Sequence, residues 1–176
     1  MVKRGPKPKM AIKIKWSAKF SYAMGLLVTD GCLYNDGRHI CFVSKDLEQI
    51  ENFIDCLGIK AKIGFSVSAF GQTKTPRVQI SDVNFYNYLV SIGITPAKSK
   101  TIGKIDVPKK YFIDFLRGCF DGDGCFYSYW DKRWKSSHMF YLTFSSASLK
   151  HIEWIRSEIL EVSGISGYIS KSRSQK

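Results

Sequence analysis

No apolar run in this 176-residue chain approaches the roughly 20 residues a membrane-spanning helix needs, and its N-terminus lacks a signal-peptide apolar core. Neither an anchor nor secretion is expected. The five cysteines (Cys32, Cys41, Cys56, Cys119, Cys125) form an odd set without a C-x-x-C pair. The three histidines (His39, His138, His151) show no zinc-ligand spacing. A disulfide framework and a zinc site therefore drop out, and the cysteines read as reduced thiols. Acidic residues are scarce, 15 against 27 Lys and Arg, a net charge of +12 with pI near 9.5. That asymmetry favours a polyanionic partner, nucleic acid first, for a soluble intracellular protein of a prokaryotic cytoplasm or an organelle. What the chain does have is apolar material: 44% hydrophobic and 14% aromatic residues suffice for one ordinary domain or two small ones, and disorder is not expected.

An internal repeat organises the chain. A-M-G-L-L-V-T-D-G at 23–31 matches L-R-G-C-F-D-G-D-G at 116–124, aligning Gly25 with Gly118 and Asp30 with Asp123. Each segment closes an apolar stretch of helical character, with Ser17 a suitable N-cap for the first and Pro108 an early helical residue for the second. Each then enters a strand through Asp-Gly. Downstream, C-L-Y-N at 32–35 resembles C-F-Y-S at 125–128, and I-C-F-V-S at 40–44 resembles L-T-F-S-S at 142–146, both alternating as half-buried strands do. Amphipathic helices from Leu47 and from Leu149 follow, ending at Gly58-Ile59 and Gly164-Ile165, where glycine suits a C-cap.

The first copy continues with a strand around 61–68, a turn near Gly71, a strand around 75–81 and a helix over about 82–92. In the second copy Lys176 falls opposite Phe70, so the last strand and helix have no counterpart and this copy reads as truncated. The expected organisation is a basic N-terminal tail at 1–15, a first subdomain at 16–92, a lysine-rich and breaker-rich connector at 93–108, and a second subdomain at 109–176.

Gly118 with Gly122, and Gly25 with Thr29, places small groups four apart on one helix face, which allows two helices to meet backbone to backbone. Packed about a pseudo-twofold axis, they would bring Asp30 and Asp123 together at their C-terminal ends, where the helix dipole disfavours negative charge. Such a pair calls for cations. Magnesium suits it, preferring a few carboxylates with water and phosphate oxygens, and metals about 4 Å apart can drive in-line phosphodiester hydrolysis. A lone Asp-Gly would be no more than a helix-to-strand turn; two copies with matched flanks say more. A calcium loop fails, because Asp121, Asp123, Cys125, Phe126 and Lys132 would fill its positions.

These paired segments resemble the signature of the LAGLIDADG homing endonucleases, over residues 16–172. The resemblance implies an α/β (α+β) fold of two pseudo-symmetric αββαββα subdomains, with the motif helices at their interface and two saddle-shaped sheets tracking the major groove of double-stranded DNA. It implies that Asp30 and Asp123, with the adjoining Gly31 and Gly124, bind catalytic magnesium or another divalent cation. Lys98 and Ser99 fall in a P-x-K-S stretch like that family's connector. Asp121 is Val28 in the first copy, so a structural role is expected of it. The family often has a basic residue near the end of the second strand, where this chain has Lys45; its match is Ala147, so the two strand cleavages could be unequal. A solvated residue before a helix is the equal alternative for Lys45.

Alternation assigns Leu33, Ile40, Phe42, Val78 and Ile80 inward, leaving Tyr34, His39, Cys41, Lys45, Arg77 and Gln79 on the opposite face. In the second copy Phe126, Leu142 and Phe144 are expected in the core, with Tyr127, Tyr129, Met139, Tyr141, Thr143 and Ser145 outward. Arg77 and Gln79 are the leading candidates for base reading, since Arg pairs with guanine and Gln with adenine. Y-W-D-K-R-W-K-S-S at 129–137 offers Lys132, Arg133 and Lys135 to phosphates, with Trp130 and Trp134 either supporting them or folding the loop onto the protein. Residues 2–9, V-K-R-G-P-K-P-K, read as a basic tail adding nonspecific affinity or as a solvated terminus.

Two function classes compete. One is a monomeric homing endonuclease cutting both strands, with the truncated half in need of a complementing C-terminal fragment. The other is a cleavage-inactive nucleic-acid-binding protein of the same fold, an intron RNA maturase or a DNA-binding regulator. Both acids favour the first; the incomplete second sheet favours the second. A carboxylate-pair glycosidase would leave the net charge unexplained. A start methionine and the lack of splicing-domain residues point to a free-standing protein rather than an intein segment.

Overall fold

The computed structural model describes residues 12–67, 74–134 and 136–171, so the basic segment 2–9, the turn near Gly71 and Lys135 lie outside the described residues. Ser17 opens the first helix: its backbone is extended and its Oγ accepts the Phe20 N–H at 3.1 Å, and α1 runs Ala18–Thr29. Strands β1 (Gly31–Leu33) and β2 (His39–Val43) follow. Asp46 caps α2 (Leu47–Leu57), which Gly58 closes in the left-handed region at φ 63°. Then come β3 (Ile63–Val67), β4 (Lys74–Ser81) and α3 (Val83–Ser91), the last capped by Asp82, whose carboxylate accepts the N–H groups of Asn84 and Phe85. The connector carries one 3₁₀ turn at Lys98–Lys100, and a second at Lys109–Tyr111 leads into α4 (Phe112–Asp123). Strands β5 (Gly124–Trp130) and β6 (His138–Phe144) and helix α5 (Leu149–Ser163), closed by Gly164 at φ 72°, complete the second half.

The fold is α+β. The first half is α-β-β-α-β-β-α, and the second repeats the first four elements. Four antiparallel strands in the order β1-β2-β4-β3 make the first sheet, with Ile40 opposite Ile80 and Phe42 opposite Val78. Alternation sends Leu33, Ile40, Phe42, Val78 and Ile80 to one face, and all five are buried. Helix α2 covers them with Ile50, Phe53 and Leu57; the Phe42 and Phe53 rings stack with centroids 4.4 Å apart. No helix among the described residues is long and apolar enough to cross a membrane.

The second sheet departs from the expected pattern. Among the described residues β5 and β6 alone form it, and Phe126 and Leu142, expected in the core, are 56% and 68% exposed. Phe144 alone of the three turns toward the core, half-buried with its ring against Phe120. The physical reason is the missing cover: in the first half β4 and α3 lie where nothing described lies beside β6.

The two halves meet through α1 and α4, and the contact is backbone against backbone. A Cβ placed on Gly25 would fall 2.2 Å from the Phe115 carbonyl oxygen, and one on Gly118 would fall 2.2 Å from that of Tyr22. Phe115 and Tyr22 stand three residues before Gly118 and Gly25, so the two clashes are twofold mates. A Cβ on Gly122 would fall 2.0 Å from the Thr29 hydroxyl. Polar ties flank the seam: the Tyr22 hydroxyl donates to Asp121 at 2.8 Å, Ser21 donates to the Tyr111 carbonyl at 2.9 Å, and Gln49 donates to the Asp121 carbonyl at 2.8 Å. Arg117 lies 4.5 Å over the Tyr22 ring. Asp121 thus locks the two halves together. Replacing Gly25 or Gly118 by Val must push the helices apart, and we expect a loss of about 3 kcal/mol or more, or no folded protein, in chemical denaturation; a change within experimental error would refute the backbone contact.

Candidate active site

Because α1 and α4 cross at their glycines, the ends of both helices arrive together. Asp30 is the C-cap of α1 and Asp123 the last residue of α4. A Cβ on Gly122, already blocked by Thr29, would also fall 2.8 Å from an Asp30 carboxylate oxygen, which puts that carboxylate over the last turn of α4. Burial raises the pKa of Asp30 first, and the charge of Asp123 raises it further, against a hydrogen bond from Thr29 and the cation of Lys98. Asp123 itself is exposed. The arrangement is one solvent-facing and one half-buried carboxylate, close enough to repel.

The glycines after each acid serve the turn. A Cβ on Gly31 would fall 2.5 Å from the Leu27 carbonyl oxygen, and one on Gly124 would fall 2.4 Å from that of Phe120, four residues earlier in each repeat-related helix. Only glycine lets the strand double back so closely on its helix. Gly31, expected among the metal ligands, has its carbonyl oxygen engaged by Lys98, whose ammonium donates to it at 2.6 Å.

Lys98 is the residue of this site to which the sequence reading assigned no role. It is 7% exposed, its pKa lowered by burial and lifted back partly by Cys32 and by both acids. The preceding Ala97 stands at φ 52°, a left-handed conformation uncommon outside glycine, and thereby turns the connector so that Lys98 enters the interior. The P-x-K-S stretch was its only trace in the sequence; burial beneath the acid pair arises from the connector's path. Lys45, by contrast, is exposed on the turn between β2 and α2.

Behind Asp123 opens a cavity of about 220 Å³ lined by Cys119, Phe144, Ala147, His151 and Ile155 among others. Ala147 replaces the lysine of the first half there. His151 is buried, its Nδ1 is 2.7 Å from the Gly103 carbonyl, and its pKa is lowered by burial.

The outer sheet face carries the other expected residues unevenly. Tyr34 and Gln79 are exposed and Arg77 half-exposed; Tyr34, Asp36, His39 and Gln79 line a shallow depression. His39 is 2.5 Å from Asp36, whose carboxyl is held down at about 2 mainly by the His39 backbone N–H and then by its ring. Cys41 shares this face yet is 4% exposed, with Tyr34 and Arg77 as its neighbours, so it is not the accessible contact it was expected to be. In the second half Tyr127, Tyr129 and Tyr141 stand in parallel, ring centroids 5.0 to 6.5 Å apart, and Thr143 donates to the Cys125 carbonyl at 3.2 Å. At the loop tip Lys132 is exposed. Arg133 is bound bidentately to Asp131 at 2.9 and 3.1 Å, which occupies the guanidinium edge expected to meet phosphate. Trp130 and Trp134 are 62% and 68% exposed, so neither folds the loop onto the protein.

No protein-family model matches the chain, and no curated protein sequence matches it. Solved structures do. Full-length DUF199/WhiA from Thermatoga maritima superimposes at a TM-score of 0.57 and 13% identity over 92% of this chain and 50% of that one. The homing endonuclease I-WcaI, bound to its DNA recognition sequence, gives 0.57 and 14% over 99% and 82%. Mesophilic variants of the homing endonuclease I-DmoI give 0.50 and 15% over 89% and 83%. The chain spans half the length of that WhiA protein. Its fold is that of the LAGLIDADG homing endonucleases, shared by the N-terminal LAGLIDADG domain of DUF199/WhiA.

Two outcomes follow from the site's electrostatics. In metal-free protein the raised pKa of Asp30 means that its neutral form suits the fold: this contribution is complete below the unfolded aspartate pKa and is lost as pH rises through the folded value. Asp30→Asn should therefore raise the thermal midpoint near neutral pH by about 2–4 °C, the equivalent of about 1 kcal/mol at this length, with the gap closing in acid; a lower midpoint would disprove the repulsion. Lys98→Met should cost about 1–3 kcal/mol in denaturant by leaving the Gly31 carbonyl without its donor, and an unchanged midpoint would contradict that.

Proposed function

We propose that this chain is a site-specific endonuclease that makes a metal-dependent double-strand cut in duplex DNA. The observation that carries the reading is the delivery of Asp30 and Asp123, by two repeat-related helices, to one solvent-reachable point where their charges repel. That donor chemistry fits a divalent cation such as magnesium, although no further His, Cys, Asp or Glu completes a cluster of three among the described residues. Asp30 and Asp123 would hold the ion, with water and phosphate oxygens filling its remaining positions. Bound there, it supplies a lowered water pKa and charge stabilisation for the leaving oxygen.

The chain's own residues do the rest. The glycine seam fixes the spacing of the acids. Lys98 holds the Gly31 carbonyl and so the backbone beneath Asp30, and its cation offsets part of the repulsion. Arg77 and Gln79 read base edges in the major groove, with Tyr34 and His39 beside them, and Tyr127, Tyr129, Tyr141 and Thr143 form the corresponding face of the second half. Lys132, exposed at the loop tip, contributes positive charge toward the backbone. Lys45, exposed at the end of β2, supports charge on one side only, since Ala147 stands at its repeat-related position.

The same fold in a DNA-binding protein that does not cut is the second reading. The uncovered β5–β6 face favours it, because a hairpin held on one side positions its DNA contacts loosely. Cleavage of a plasmid library with magnesium separates the two. We expect staggered cuts at one long site, lost in Asp30→Asn and in Asp123→Asn while both variants still bind DNA. Binding by wild type without cutting would establish the second reading, and cutting that persists in both variants would reject these ligands. Affinity should fall with salt by a log–log slope of about −0.9 per phosphate contact, and a flat response would remove the DNA surface altogether.

A further inference from the structure

Cys32 and Cys41 face each other across the first hairpin. They are direct partners in the β1–β2 register, so their side chains leave the same, outer face of the sheet. The Tyr34 N–H donates to the His39 carbonyl at 3.0 Å, which makes Tyr34 and His39 a hydrogen-bonded pair, and two positions along Cys32 and Cys41 form another. The Cα atoms of such a pair lie about 5.5 Å apart, a separation that a disulfide spans, and the Cβ atoms need to close by about 1 Å. The strand that would move is β1, only three residues long and at the edge of the sheet. Both thiols are free.

The second half shows the reach available at this register. Cys125 holds the repeat-related position of Cys32, but Thr143 stands opposite it, and the Thr143 hydroxyl donates across the strands to the Cys125 carbonyl at 3.2 Å. A γ atom there extends to the opposite strand, as the Cys41 sulfur must. Access to the two thiols of the first half is divided. Cys32 is exposed, whereas Cys41 is 4% exposed beside Tyr34 and Arg77. An oxidant in solvent meets Cys32 first, and Cys41 can answer only from within the sheet.

We propose that Cys32 and Cys41 are an oxidative modification site, a thiol pair that a peroxide closes into a reversible cross-strand disulfide. The Cys32 sulfur attacks one peroxide oxygen, the O–O bond breaks, and Cys32 becomes a sulfenic acid while hydrogen peroxide leaves one water. The Cys41 sulfur then attacks the Cys32 sulfur; the S–S bond forms, the S–O bond breaks, and the hydroxyl departs with the Cys41 proton as a second water. Two thiols have lost two electrons to one peroxide. Closure draws β1 toward β2. Gly31, whose carbonyl accepts from Lys98, is the first residue of that strand, so oxidation on the outer face loosens the hold of Lys98 beneath the acid pair. The disulfide does not depend on whether the chain cuts DNA.

The test treats the intact protein with hydrogen peroxide, alkylates the remaining thiols and maps the peptides by mass spectrometry. We expect one disulfide, joining Cys32 to Cys41, with Cys125 outside it and both thiols restored by dithiothreitol. In Cys32→Ser, changed at an exposed side chain, Cys41 should stay a free thiol under the same peroxide. Hydrogen exchange over 98–102, where the Thr101 and Ile102 N–H groups bond to the Lys98 carbonyl, should quicken several-fold on oxidation of the wild type. Absence of the link, a link from Cys32 to Cys125, or irreversible sulfinic acid at Cys32 would each overturn the proposal. Oxidation of Cys41 in Cys32→Ser would overturn the assigned order, and unchanged exchange over 98–102 would overturn the connection to the acid pair.

Discussion

The contact on which this structure depends is the approach of two helix backbones at Gly25 and Gly118. Each glycine meets the carbonyl of the turn preceding its mate, at a separation no side chain permits. Since the helices touch along their small faces, their C-terminal ends converge, and two acids 93 positions apart become neighbours. The strands that leave those ends must then turn sharply, which the glycine of each Asp-Gly pair, Gly31 and Gly124, allows. One steric condition thus fixes the acid pair, the origin of both sheets and the axis relating them.

Convergence of like charges has to be compensated. Asp30 is half-buried against the last turn of α4 and its carboxyl is pushed up by burial and by Asp123. Lys98 answers from below: its buried ammonium donates to the Gly31 carbonyl and faces both acids. Burial disfavours that ammonium, while the Gly31 carbonyl and the nearby charges of Asp30 and Asp123 favour it, so acids and lysine stabilise one another. The two carboxylates still outnumber the single buried ammonium among the described residues, so the pair keeps an excess of negative charge on its solvent side.

The halves are related in design and unequal in finish. In the first, four strands and α2 and α3 enclose an apolar core, and the outer face offers Arg77, Gln79 and Tyr34. In the second, two strands support a tyrosine ladder on one side and a bare aromatic surface on the other. Ala147, the repeat-related match of Lys45, lines a cavity behind Asp123. The seam between halves is tight even so, because its ties run from α1 and α2 to α4 and the turn that precedes it and do not involve β6.

How far the sequence reached follows from the range of the forces involved. Helix and strand identities, the Ser17 cap, the Gly58 and Gly164 closures and the inward set of the first sheet were legible, because they rest on local propensity and period. The repeat also exposed the acid pair and the small faces of its helices, since both are written as matched motifs. Tertiary structure alone decided the rest. Burial of Lys98 depends on a left-handed turn at Ala97 and on the connector's route. Cys41 is covered by neighbours that alternation assigns to the same open face, and Arg133 is captured by Asp131. Phe126 and Leu142 have the alternation of core residues, but burial requires a second surface, and whether that surface is present is a property of the assembled fold and not of the strand.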